Sequence, residues 1–391
     1  MRKFTLFSVF VVLFFSCEKV ERSSSTPEEN VVAVSSREVA KILSNLPIGQ
    51  EQMQEVFDAV SSSSANGYDE EYTLQGLFSS PGCGVGDNVS KASSKVYTNP
   101  LKDMISAYLA GSGTKSSSGI SIRDLEDSGL QIYWPWFDKW DGSAYPAITF
   151  DPADGSPANF AYQLERDSSG SLKVREIVVD EEYAASHPVW VVNSNDDASY
   201  TSLELLRRRE ENPGGGEIII GKRAVRVKDV DSEVKTLLIK DFKAVKNFDS
   251  WLAGGSEFFV KFASVENFKA VTDEEMMLYN PSVTDFMISV KRKEVGSVKS
   301  INAVVVDAWT DQLSRCAFLL VEDDGGTWTT WDAQLELKIF SKTYGLNISI
   351  PFRSRDDIVW RGTLSSSFLE KGGGKAYRYG DAEITFEFLN L

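Results

Sequence analysis

Three kinds of side chain in this sequence are of a type that does chemistry: a single histidine, a large excess of acids, and a tight group of tryptophans. His187 is the only histidine and stands before Pro188 in "ASHPVW". A histidine zinc site, a Ser-His-Asp triad and a Cys-His pair each need a well-placed imidazole with partners. The sequence therefore argues against all three and for a loop histidine without a catalytic role. The acids number 57. Two of them facing each other across a cleft, one with a raised pKa, would suffice for a glycan-directed hydrolase using paired carboxylates. The densest acidic point is "FLLVEDDGGTW", residues 318–328, where an apolar run bound for a core ends in three consecutive acids and two glycines.

The tryptophans lie in "IYWPWFDKWDGSAY", residues 132–145. Flat rings on one face stack on sugars, so Trp134, Trp136 and Trp140 are candidates for a sugar platform, with Asp138 and Asp141 to accept hydroxyl hydrogens. The competing reading is core packing, because in a strand Ile132, Trp134 and Trp136 share one face while Tyr133 and Phe137 share the other. Gly82, Gly84 and Gly86 follow a proline rather than a strand and open no helix, so they read as a turn and not as a phosphate cradle.

The elements that must position these groups begin after an export segment. Arg2 and Lys3 precede an apolar and hydroxyl run, residues 4–15, which is long enough for a signal sequence and short for a bilayer span. "LFFSC" then resembles a bacterial lipoprotein signal, which implies cleavage after residue 16 and lipidation of Cys17. Loss of Arg2 and Lys3 moves the net charge from -16 to -18. Such a surface repels nucleic acid and anionic head groups, leaving the lipid on Cys17 as the contact with a membrane. Glu18 and Glu21, just after the cysteine, look like the acidic export tag of surface lipoproteins in Bacteroidota; a solvated tether accounts for them equally well. The expected location is the cell envelope, as an outer-membrane lipoprotein facing the surface or the periplasm. Cys83 and Cys316 are the remaining cysteines, either a disulfide or two buried thiols.

Residues 17–36 are polar and serine-rich and read as a tether. A helical region follows over 37–118, with apolar stripes at Val39, Ile42, Leu43 and Leu46, at Met53, Val56, Phe57 and Val60, and at Leu101, Ile105, Tyr108 and Leu109. Ser36 is the expected cap of the first. Residues 119–216 hold short aromatic and β-branched runs and read as a β-rich middle region, closed by a short helix over 203–210 and the run "ENPGGG". Residues 217–391 contain nine further candidate strands without a long helix between them, which predicts an antiparallel β-sandwich. The fold class is thus mainly β with a small N-terminal α-helical region.

The most specific pattern lies in that last region. "TLLIKDFKAVKNFDSWLAGGSEFFVKF", residues 236–262, carries Ala244, Lys246 and Asn247, then Asp249, a glycine turn, and Glu257 before an apolar strand. "FLLVEDDGG" ends a strand in Glu322 and Asp324, and "RDDIVWRG" is an acidic segment with Asp356, Asp357 and Ile358. Together these resemble the first loops and acidic strand ends of C-two domains, the calcium- and phospholipid-binding sandwiches. Glutamate stands at two positions where the family has aspartate, and about thirty residues separate Asp324 from Asp356. The resemblance implies a C-two-like sandwich whose loops gather Asp249, Glu257, Glu322, Asp324 and Asp357 around calcium. Calcium takes six to eight oxygens and would hold together carboxylates that otherwise repel. The alternative is that each acidic cluster caps a strand and protects an exposed sheet end.

No cofactor is required by any motif. The functional expectation is a non-catalytic binding or adhesion module with a glycan or protein ligand; the alternative is the paired-carboxylate hydrolase.

Overall fold

A computed structural model of the chain describes residues 33–79, 97–111, 119–166, 168, 172–195, 200–209 and 234–390. The lipoprotein signal, Cys17, the tether up to residue 32, Cys83, the glycine turn of residues 82–86 and the run at 211–216 lie outside the described residues. So does the first strand expected in the C-terminal region, residues 217–227. No helix among the described residues is long and apolar enough to cross a membrane.

The helical stripes form as their spacing predicts. Helix Ser36–Ser44 is capped one residue earlier than expected, by Ser35, whose hydroxyl accepts from the Glu38 N–H while the Glu38 carboxylate accepts from the Ser35 N–H. Helix Gln50–Ala65 outruns its apolar stripe by a serine-rich turn. Helix Leu101–Gly111 begins where Glu55, a buried acid on helix Gln50–Ala65, accepts the Leu101 N–H at 2.7 Å.

Six strands make the N-terminal sheet: β1 (Glu71–Thr73), β2 (Leu130–Tyr133), β3 (Ala147–Phe150), β4 (Ala158–Arg166), β5 (Leu172–Asp180) and β6 (Val189–Ser194). Their order is β1-β2-β6-β3-β4-β5, antiparallel throughout except for β3 with β6. The region read as helical therefore supplies one strand, because the three-residue Glu71–Thr73 has no periodicity to betray it and forms only against β2. Alternation sends Leu130, Ile132, Trp190 and Val192 to the face covered by the helices. Tyr133, Ala147, Val189 and Val191 point to the opposite face, where Trp251 and Leu252 from the C-terminal region pack.

The C-terminal region is an antiparallel β-sandwich, as expected. Its strands are β7 (Lys235–Ala244), β8 (Ser256–Ser264), β9 (Ser282–Val290), β10 (Lys299–Trp309), β11 (Leu313–Glu322), β12 (Trp328–Ile339), β13 (Lys342–Arg353), β14 (Asp357–Ser365), β15 (Ala376–Tyr379) and β16 (Ala382–Asn390). One sheet runs β10-β7-β16-β15 and the other β13-β12-β11-β8-β9, with β14 also paired to β11. Aromatic rings fill the space between them: Phe242 meets Phe258 at 5.0 Å, and Phe318 meets Phe386 and Tyr379, both at 5.7 Å. Burial of such large apolar side chains on both inner faces is the main stabilising term.

The loop between β7 and β8 ties the sandwich to the N-terminal sheet. Trp251 Nε1 donates to the Pro157 carbonyl at 2.8 Å, Asn193 Nδ2 to the Leu252 carbonyl at 3.2 Å, and the Gly255 N–H to buried Asp69 at 2.7 Å. Position 255 admits only glycine, since a Cβ there would lie 2.7 Å from the Val290 carbonyl oxygen. Arg292 spans the same junction, forking the Glu181 carboxylate at 2.8 and 3.1 Å while donating to the carbonyls of Asp249 and Gly254.

Candidate metal centre

The acidic end of β11 follows from strand alternation. Phe318 and Leu320 point into the sandwich, and a period of two puts Glu322 on the same inward face. Glu322 stands opposite Phe258 on β8 and Asp357 on β14, and it is 0% exposed. An inward carboxylate at a strand end is costly unless something compensates it. Asp249 reaches it from the β7–β8 loop, which the Trp251 anchor and the Arg292 guanidinium hold in place. Asp324 arrives from the turn after β11, where Gly325 and Gly326 adopt φ of 71° and 99°. One carboxylate oxygen from each of Asp249, Glu322 and Asp324 lies within 4.8 Å of the others. This buried to half-buried acidic group has the donor set to hold a metal ion.

The charges around it are almost all of one sign. No N–H or hydroxyl of the described residues donates to either oxygen of Glu322. Burial, then the facing Asp249 carboxyl and the charges of Glu257 and Asp324, push its pKa far above the carboxylate range. Asp324 is raised to about 6 by burial and by Asp249, Asp357 and Asp323, with Arg355 alone pulling it down. A second acidic pair stands beside the first. Asp323, 6% exposed, accepts the Gly325 N–H at 3.0 Å through Oδ1, and no donor reaches its Oδ2. Asp356 accepts the Arg353 N–H at 2.8 Å and is raised to about 7 by burial and by Asp323.

Of the five acids expected at the site, Asp249, Glu322 and Asp324 come together directly. Glu257 and Asp357 are close enough to act on them electrostatically but stand outside the trio: Glu257 alternates to the outer face of β8, and Asp357 is exposed at the start of β14. Asp323 and Asp356 were missed by sequence reasoning. The resemblance treats the residue between Glu322 and Asp324 as a spacer, and only the "EDD" run itself signals more. Glu71, Gln131 and Ser194 from the N-terminal sheet also reach this place: with Asp249, Ala253, Gly254, Glu257 and Asp323 they line a small cleft of about 40 Å³.

The three tryptophans do not form a platform. Trp134 is 1% exposed and lies in the helix-covered core against Phe57, Trp140 and Trp190, with ring centroids 5.5 to 6.1 Å apart. Trp136 belongs to the opposite face of the sheet, because β2 stops at Tyr133, Pro135 follows, and Trp136 itself takes a left-handed φ of 53°. Lys139 sits 5.5 Å from its ring centroid. Trp140 packs on the helical side and spends its indole N–H on the Ala144 carbonyl at 2.9 Å. Core packing therefore won over display.

His187 is exposed and stacks on Tyr183 at 4.3 Å, with Nδ1 beside the Tyr183 carbonyl and the Ser186 hydroxyl. Its contacts are those of a loop. Cys316 is a buried free thiol whose Sγ donates to the Leu364 carbonyl at 3.4 Å. Comparison with protein-family models, with curated proteins and with solved structures gives no match in any of the three.

Proposed function

We propose that the chain is a cell-envelope lipoprotein, held to its membrane through lipid on Cys17, whose C-terminal sandwich binds calcium through Asp249, Glu322 and Asp324. Glu257 and Asp357 add negative charge around the ion without belonging to its first layer. The observation that carries this reading is Glu322: a carboxyl with no exposed surface that faces other acids, two of them within ligand distance. A cation supplies the charge that this arrangement lacks. The donors are all oxygens, which favours a hard ion, and calcium accepts irregular multi-carboxylate cages better than magnesium does. Outside a cell, calcium at millimolar concentration saturates even a weak site. The likeness of residues 236–369 to C-two domains supports the same choice, and the acidic surface argues against nucleic acid as the ligand. In this reading the protein is a non-catalytic binding module for a glycan or a protein, with calcium fixing the loops at one end of the sandwich.

Thermal unfolding tests it. The midpoint is expected to rise with millimolar calcium and to fall with chelator, and Asp324→Asn to lose that response; an unchanged wild-type midpoint ends the idea.

One observation favours a second reading. The Asp249 and Glu322 carboxyls face each other with one held protonated, the asymmetry a glycan hydrolase uses for its acid and base. Turnover of a glycan panel that disappears in Asp249→Asn would establish the hydrolase. Glu322, with no exposed surface, stands against it, because a general acid must reach the glycosidic oxygen.

A further inference from the structure

One sheet of the sandwich ends in the hairpin of β12 and β13, which pair without a register shift from Trp328 and Arg353 to Ile339 and Lys342. Only Phe340 and Ser341 join the two strands. A two-residue turn makes its closing pair exchange hydrogen bonds, and every second pair after it does the same. The N–H groups of Thr343, Gly345, Asn347 and Ser349 therefore face away from β12. Pro351, which has no N–H to give, falls in the same phase. Among the described residues no strand pairs with this outer side of β13.

The other free edges are each blunted against further pairing. β1 and β15 are three and four residues long. β5 carries Lys173, Arg175 and Glu176, and β14 carries Asp357 and Arg361. β10 is broken by three register shifts, and β9 holds Asp285 and meets Ser202 in a parallel bridge. β13 is 12 residues long, and its whole middle, residues 343–352, is without charge. Its apolar face is also cut short. Ala333, Leu335 and Leu337 on β12 are at most 7% exposed, whereas Ile348, Leu346 and Tyr344 opposite them are only partly buried. A long, regular, uncharged edge with a half-covered apolar face is a template for one more strand.

We propose that this strand is supplied by a second copy of the chain: two β13 edges pair antiparallel about a two-fold axis and join the sheets of two molecules into one. Charge selects the occupant. A net charge of -16 sets two copies against each other over most of their surface. A two-fold axis also repeats every contact, so a charge in the middle of the edge would stand close to its own like. A strand from a different protein imposes no such condition and is best selected by opposite charge. The neutral middle of β13, with Lys342 and Arg353 only at its ends, is what pairing with itself requires. On the exposed face Asn347 and Ser349 then meet hydroxyls and amides, and on the other face Leu346 and Ile348 gain apolar neighbours. The pairing uses none of the acidic trio and does not rest on calcium.

Sedimentation of the full chain without its signal or lipid, in chelator and over a range of concentrations, tests the inference. The wild type is expected to pass from monomer to dimer, and the amides of Thr343, Gly345, Asn347 and Ser349 to exchange more slowly in the dimer. Asn347→Lys, at an exposed side chain, brings like charges to the axis and is expected to weaken the dimer roughly tenfold or more. Val178→Lys, the same change of charge on the β5 edge, is expected to leave it unchanged. Should Asn347→Lys fail to fold, Thr343→Lys carries the same expectation. A wild type that stays monomeric up to about 1 mM overturns the inference. So does a dimer that Asn347→Lys leaves intact, or that Val178→Lys weakens as much. A monomer whose β13 amides slow only when an extended peptide is added gives the edge to a foreign strand and overturns it likewise.

Discussion

Glu70 and Glu322 are both buried carboxylates, and the two halves of the molecule treat them in opposite ways. In the N-terminal sheet Glu70 accepts the Trp136 N–H at 2.9 Å and pairs with Lys293 at 2.7 Å. Glu55, on the helix above, takes the Leu101 N–H and so satisfies a helix end, although burial raises its pKa to about 7. In the sandwich, Glu322 has only other acids before it. A buried acid that is given donors is part of the architecture; one that is given only acids belongs to a group that could hold a metal ion. The contrast makes Glu322, and not the more exposed aspartates, the residue on which the functional reading turns.

The largest expected effect belongs to the helix-covered core: Trp134→Ala should cost about 3–5 kcal/mol in denaturant unfolding, as for other large buried aromatics. A loss below about 1 kcal/mol would mean that the ring is displayed after all. Next comes Glu70→Ala, which leaves the Trp136 N–H without its acceptor and Lys293 with Asp138 alone, and should cost about 2 kcal/mol. Glu322→Gln should do the reverse in chelator, leaving stability equal or higher because a buried carboxyl held protonated among other acids gives way to a neutral amide of the same shape. Equal destabilisation by the two would erase the distinction between them.

Calcium itself should add about 2.7 kcal/mol at a hundredfold excess over Kd, read as a shift of the unfolding curve. The smallest effect is that of pH without calcium. Asp324 and Asp356 have folded pKa values of about 6 and about 7, above their unfolded values, so the folded state holds the extra protons. The stability they contribute is complete below about pH 4 and is lost as pH rises through 6 and 7. Calcium binding requires the ionised forms, so its stabilisation should grow over the same interval. An unfolding midpoint in chelator that rises from pH 5 to pH 7.5 would contradict the raised values.

Much of the scaffold was legible in the sequence because the signals are local. The stripe of Val39, Ile42 and Leu43, and the apolar runs that became β7, β8, β10 and β11, fix their own secondary structure by periodicity. What was not legible depends on partners distant in the chain. β1 is three residues long and exists only against β2, and β14 was read as an acidic segment because its pairing with β11 spans some forty residues. Alternation would put Trp134 and Trp136 together on one core face, yet Pro135 and the left-handed Trp136 end the alternation after Tyr133 and send the two rings to opposite faces of the sheet. The acids fared better: Glu322 and Asp324 were visible at the end of their strand, and the C-two resemblance led to Asp249. Glu71 and Gln131 carried no sequence signal at all, because the cleft they line forms only when the two sheets dock.

The most direct test is the unfolding midpoint of the wild type and of Glu322→Gln, each measured in chelator and in millimolar calcium at pH 7.5. The expectation is a rise with calcium in the wild type, no rise in Glu322→Gln, and a variant at least as stable as the wild type in chelator. A wild type that ignores calcium, or a Glu322→Gln protein that responds as fully as the wild type, would contradict it.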